Sequence, residues 1–215
     1  TLYWDTNGTT AGAGGTTPSG TWKVSGGANK NWNTLSGGTG TTNNWTNGSI
    51  AVFSAGTDAT GTYDVSVGLA PDVDRIIIQE GNITFNSSSL TLTGTTPSVN
   101  VASGLTATFN TKFLGANGIV KTGNGTLVLN ALGNNWSGNL TVNAGSVQVG
   151  AGTNILPNTT GVVLAAGTSL SLATGGSTEQ IGSLAGAGNF NFTDNLFKVG
   201  DTTNTTFSGQ LSGSG

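Results

Sequence analysis

The 215-residue sequence predicts an all-β chain coiled into a three-sided parallel β-helix, a β-solenoid, and three observations point there. Apolar residues come in doublets two positions apart. Corresponding doublets recur every 20 to 23 residues. The composition suits a stack of short strands: 37 Gly, no Cys, and charged residues at 7% against 34% hydrophobic. Without Cys neither a disulfide framework nor a thiolate metal site can form, so packing and backbone hydrogen bonds must hold the fold.

The doublets are Val65/Val67, Ile76/Ile78, Ile83/Phe85, Leu90/Leu92, Val99/Val101, Leu127/Leu129, Leu140/Val142, Val147/Val149, Val162/Leu164, Leu170/Leu172 and Phe190/Phe192. Two-residue periodicity puts both members on one face of a strand. Gly or Asn follows within a few residues, as turns between short strands require. No stretch carries the 3.6-residue period of a helix. Ile76 to Val99 is 23 residues, Leu127 to Val147 is 20, Val147 to Leu170 is 23 and Leu170 to Phe190 is 20. The same scheme takes Ile83 to Leu105 and Leu105 to Leu127 at 22 each, and Val99 to Ile119 at 20. Three strands at about 3.3 Å per residue, with their turns, consume that length. A sandwich also spaces its strands at roughly 8 to 12 residues, so the period favours the coil without excluding it.

In such a coil the doublets point inward while Thr, Ser and Asn point out. Asn at corners is expected to stack on Asn of adjacent rungs, which satisfies its amide. Scarce charge follows from the same geometry, because like charges about 4.8 Å apart along the stack repel. Residues 1–60 read differently. Trp4, Trp22, Trp32 and Trp45 lie there among Asn, Gly and Thr. The expectation is a cap that plugs the open end of the apolar column, with rungs over residues 61–215. The alternative is an aromatic platform that stacks on sugar rings.

Gly118–Leu129 (GIVKTGNGTLVL), Asn134–Gly150 (NNWSGNLTVNAGSVQVG), Ala166–Leu172 and Ile181–Gly188 resemble, in order and spacing, the autotransporter-associated β-strand repeat family of bacterial surface proteins. Trp136 stands where that family commonly has tyrosine. Thr206–Gly215 resembles the start of a further copy, with Gly215 matching Gly118, so the chain is read as truncated at its C-terminal end. Leu2-Tyr3-Trp4-Asp5, Asn44-Trp45 and Ala51-Val52-Phe53 resemble the leader region of such proteins. The resemblance implies a right-handed parallel β-helix, secreted or displayed on the cell surface, with no general enzymatic activity. The first residue, Thr1, is read as a terminus left by signal-peptide removal.

With no His or Cys, catalysis would rest on carboxylates, Lys, Arg or Tyr. The acidic candidate is Asp72-Val73-Asp74-Arg75, joined by Asp64 and Glu80, since Asp72 and Asp74 share one strand face where they could meet a ligand or a calcium ion. The plainer reading is a solvated edge with Arg75 paired to an acid. Beyond Glu80 only Glu179, Asp194 and Asp201 remain, too few for a repeated catalytic groove. No cofactor is expected. Nucleic acid is excluded as a partner, because Lys23, Lys30, Arg75, Lys112, Lys121 and Lys198 are too scattered to neutralise a run of phosphates. No run of about 18 apolar residues could span a membrane. The expected function is a structural and adhesive extracellular scaffold or fibre, associating with copies of itself, with neighbouring repeats, or with glycans or matrix. Alternatives are a carbohydrate- or ice-binding module and, more remotely, a polysaccharide-degrading enzyme.

Overall fold

The computed structural model of the protein describes residues 1–26, 30–173, 178–192 and 196–213. Among these there is no helix: short strands wind into stacked parallel sheets, a β-solenoid. One face carries Ser49–Phe53, Asp72–Ile78, Ser98–Val101, Ile119–Thr122, Leu140–Val142, Gly161–Leu164 and Ser183–Gly186, each parallel to the next. The second face is a nine-stranded sheet running from Gly20–Trp22 through Thr62–Val67, Asn82–Asn86, Thr106–Phe109, Thr126–Leu129, Ser146–Val149, Ser169–Leu172 and Asn189–Asn191 to Gln210–Ser212. The third face is shorter and broken. It holds Ser89–Leu92, Lys112–Gly115 and Asn135–Trp136, then Thr178–Ile181 and Leu196–Val199.

The doublets form these strands because alternation buries one side only, as in Ser146–Val149, where Val147 and Val149 are buried and Gln148 is exposed. Every doublet residue is buried except Phe192, which is half-buried. Register places Leu127 under Val147, Val147 under Leu170 and Leu170 under Phe190. Rungs thus stack like on like, and the core is a continuous column. Its first half is aromatic: Phe53 meets Phe85 edge-on at 5.0 Å, Phe85 stacks on Phe109 at 4.3 Å, and Phe109 touches Phe113 at 4.7 Å.

Three spacings expected from sequence differ, through two slips. Ile83 and Leu127 both align with Ala107 rather than Leu105, and Val99 aligns with Lys121 rather than Ile119. Leu105 instead packs half-buried at the preceding corner, donating its N–H to Ala102 O. Both slips have one cause: the inward residue is small or charged, so the apolar neighbour two positions earlier attracts the reading. Corners are held tight by glycine. Gly123 and Gly145 have φ of +73° and +69°, and a Cβ on either would collide with a carbonyl oxygen of the rung below, Val101 O and Gly125 O.

Candidate functional site

The four early tryptophans reach the column from different segments. Leu2–Trp4 pairs antiparallel with Trp32–Asn33, bringing Trp4 opposite Trp32, and parallel with Ser49–Phe53. Trp22 ends the first strand of the second face, and Trp45 arrives on a loop tied back by Trp45 N to Lys23 O at 2.7 Å. Their rings meet edge-on or tilted, with centroids 4.8 Å apart for Trp22–Trp32, 4.6 Å for Trp32–Trp45 and 5.3 Å for Trp4–Trp32. Phe53 lies beneath three of them. None of the four exceeds 3% exposure. Trp4 Nε1 donates to Pro18 O at 2.7 Å and Trp45 Nε1 to Asp72 O at 2.9 Å. Rings enclosed on both faces offer nothing for a sugar to stack on, so Trp4, Trp22, Trp32 and Trp45 form no open platform; they fill the end of the column.

The loop over this plug is fastened by one carboxylate. Asp58 accepts Ala13 N–H at 2.6 Å and Gly15 N–H at 2.7 Å. Partial burial pushes the Asp58 carboxyl up, but these backbone bonds outweigh it and hold the group below the usual carboxylate range.

Asp72 and Asp74 do share the outward side of their strand, half-buried, and Asp74 pairs with Arg75 at 3.2 Å. The other acids are committed elsewhere. Asp64 accepts from Asn86 at 3.3 Å, and Glu80 accepts the Ser54 hydroxyl and Ala59 N–H at 3.2 and 3.3 Å. Among the described residues no three carboxylates converge where a metal ion could be held, so a calcium ion at Asp72 and Asp74 would find no third acidic ligand there. Asp194 lies outside the described residues.

Two ionisable groups missed in the sequence are buried within the stack. Lys121 occupies an inward position between Val99 and Val142, fully buried. Its Nζ bends to the corner and donates to Thr122 O, Gly123 O and Ala144 O at 2.9, 2.7 and 3.1 Å. Burial lowers its pKa to about 8. Glu179, 1% exposed, faces the gap in the third face and accepts Ile155 N–H and Leu156 N–H at 2.9 Å each. Burial pushes its pKa up to about 7, against the pull of those two bonds. One rung below, buried Asn134 performs a similar task, accepting Phe113 N–H and donating to Ala131 O and Ile155 O. The available signal was positional: Lys121 and Glu179 each stand two residues from a buried aliphatic, Ile119 and Ile181.

Outside, the second face presents columns of hydroxyls and amides. Thr106, Thr126, Ser146, Ser169, Asn189 and Gln210 align rung upon rung. At its far edge the expected corner ladder exists: Asn130 Nδ2 donates to Asn110 Oδ1 at 3.0 Å, Asn110 to Asn86 at 2.8 Å, and Asn86 to Asp64. Such a surface can bind and pack; nothing in these columns is placed to transfer a proton.

Residues 119–149 match the model of the passenger-associated transport repeat. That segment includes Lys121, the Gly123 corner and the strands Thr126–Leu129 and Ser146–Val149. The chain is also similar to the adhesin BmaC autotransporter of Brucella suis biovar 1 (strain 1330), with 34% identity over 187 residues, which is 86% of this chain. Residues 119–149 thus carry a passenger-associated transport repeat, and most of the chain is similar to an autotransporter. Its passenger character places it outside the cytoplasm, secreted or at the bacterial surface. It spans 5% of the length of that Brucella relative. No solved structure matches the chain.

Proposed function

We propose that this passenger segment is a rigid, non-catalytic stretch of an adhesin that holds uncharged binding surface away from the cell and stacks against further solenoid units. The observation that carries the reading is the nine-stranded outer face with its aligned Thr, Ser, Asn and Gln columns, in a chain similar to an adhesin autotransporter. Each rung adds about 4.8 Å of length and one more row of weak polar contacts, which sum through multivalency. Stacking is supported by the last rungs, where Leu196, Val199 and Leu211 are 56%, 49% and 54% exposed although they sit in strands that continue the parallel ladders. The partner of that edge is a rung of the same kind, from a neighbouring repeat or a second copy.

The reading is tested by displaying the full-length protein on a non-adherent bacterium, with and without residues 61–191, and counting attached cells on host matrix. Attachment that depends on the segment supports it, and equal attachment without the segment removes it. Stacking is tested separately by analytical ultracentrifugation of the 215-residue chain: concentration-dependent assembly that Leu211→Lys abolishes is expected, and a strict monomer at every concentration counts against it.

A further inference from the structure

On the outer side of the first face, three consecutive rungs enclose an open groove of about 280 Å³. Thr95, Thr96 and Pro97 form its wall, Val120 and Thr141 lie along it, and Asn139 bounds the rung above. Gly118 and Gly138 also line it, where adjacent rungs come close: a Cβ on Gly118 would collide with Asn139 O. The wall is preformed. Asn117 Nδ2 donates to Gly94 O at 2.8 Å, Val120 N–H donates to Pro97 O at 3.0 Å, and a Cβ on Gly94 would collide with Asp74.

Some polar side chains elsewhere on the outer surface are paired with the adjacent rung, as in the Asn86–Asn110–Asn130 ladder, Asn100 with Thr122, and Thr126 with Ser146. The side chains of Thr95, Thr96, Asn139 and Thr141 hydrogen-bond to no described residue and leave their donors and acceptors free in one concave place. No ionisable side chain lines the groove, so nothing there selects a charged ligand. An uncharged ligand with several hydroxyls and one apolar face would use everything present: hydroxyls and an amide at the rim, Val120 and Pro97 against carbon.

We propose that this groove binds one neutral sugar residue of a glycan. The proposal gives a ligand class to the adhesin reading above and rests on it for its biological setting. The probes are the methyl glycosides of glucose, galactose, mannose and N-acetylglucosamine, titrated into the isotopically labelled 215-residue chain and followed by NMR. Saturable shifts centred on residues 95–97, 118–120 and 138–141 are expected with at least one probe. Asn139→Ala and Thr141→Val, both outward substitutions, should each weaken that binding by about three- to tenfold, the loss of one hydrogen bond. No shift with any probe, shifts centred on another face, or equal binding by both variants would overturn the proposal. Surface display separates the two readings: attachment that survives both substitutions removes the groove and leaves the adhesin, whereas a groove that titrates in a protein conferring no attachment removes the adhesin reading alone.

Discussion

At one end of the stack four indoles and Phe53 pack ring against ring with 0 to 3% exposure; at the other, Leu196, Val199 and Leu211 stand about half exposed beside a looser cluster of Phe190, Phe192 and Phe197. The two regions fill the apolar column differently. The first uses side chains delivered by irregular loops, tied down by Asp58 and by the antiparallel pair of Trp4 and Trp32. The last described rungs keep the regular parallel ladder instead.

The largest expected effect comes from breaking the plug. Trp32→Ala removes the ring that touches Trp4, Trp22, Trp45 and Phe53 and should cost about 3–5 kcal/mol in urea unfolding. Leu211→Ala in the monomer should change stability by no more than about 0.5 kcal/mol. Equal costs at both positions would show that the two regions are packed alike, and the contrast would be lost.

How much of this contrast the sequence discloses depends on whether a position obeys the apolar rule. The first two faces are legible because Val, Ile, Leu and Phe alternate there, and the buried tryptophan cluster stands out because Trp is rare elsewhere. The third face is legible only at Leu90 and Leu92. Past Trp136 its strand gives way to backbone whose N–H groups are satisfied by Glu179, a side chain brought 24 residues along the chain. Lys121 is hidden for a related reason: its charge says surface, yet three turn carbonyls at one corner receive its ammonium. Chemistry that replaces packing or a ladder bond carries no periodicity, so pattern reading passes over it.

These two buried charges sharpen the comparison, since Glu179 sits near the last described rungs and Lys121 in the middle of the column. The carboxyl of Glu179 titrates near 4.5 when unfolded and about 7 when folded. Between those values the unfolded chain gives up a proton that the folded chain keeps, so the contribution of Glu179 to stability falls as pH rises from 4.5 to 7. Lys121 has the opposite slope. Its folded value of about 8 lies below the unfolded 10.5, so the unfolded chain holds a proton that the folded chain has released, and stability rises across that window. Glu179→Gln should flatten the first slope and Lys121→Met the second, measured as urea midpoints against pH. Hydrogen exchange should place the Glu179 effect at Ile155, Leu156 and the strands Thr178–Ile181 and Leu196–Val199. An acid-side slope unchanged in Glu179→Gln would assign it to another group.

The smallest effect concerns what joins the ends. The corner ladder is solvent-exposed, and its amides hand hydrogen bonds down the stack from Asn130 to Asn110 to Asn86 and onto the carboxylate of Asp64. Each link is a net contribution of about 0.5–1.5 kcal/mol before exposure weakens it, so Asn110→Ala, which removes two links, should cost about 1 kcal/mol. Asp64→Asn should cost less, because it removes only the charge that receives the last link. If the ladder couples rungs, the Asn110 substitution raises exchange at Asn86 and Asn130 as well as at its own rung. If exchange changes only beside residue 110, the ladder is a set of separate bonds, and the tryptophan cluster communicates with the last described rungs through the apolar column alone.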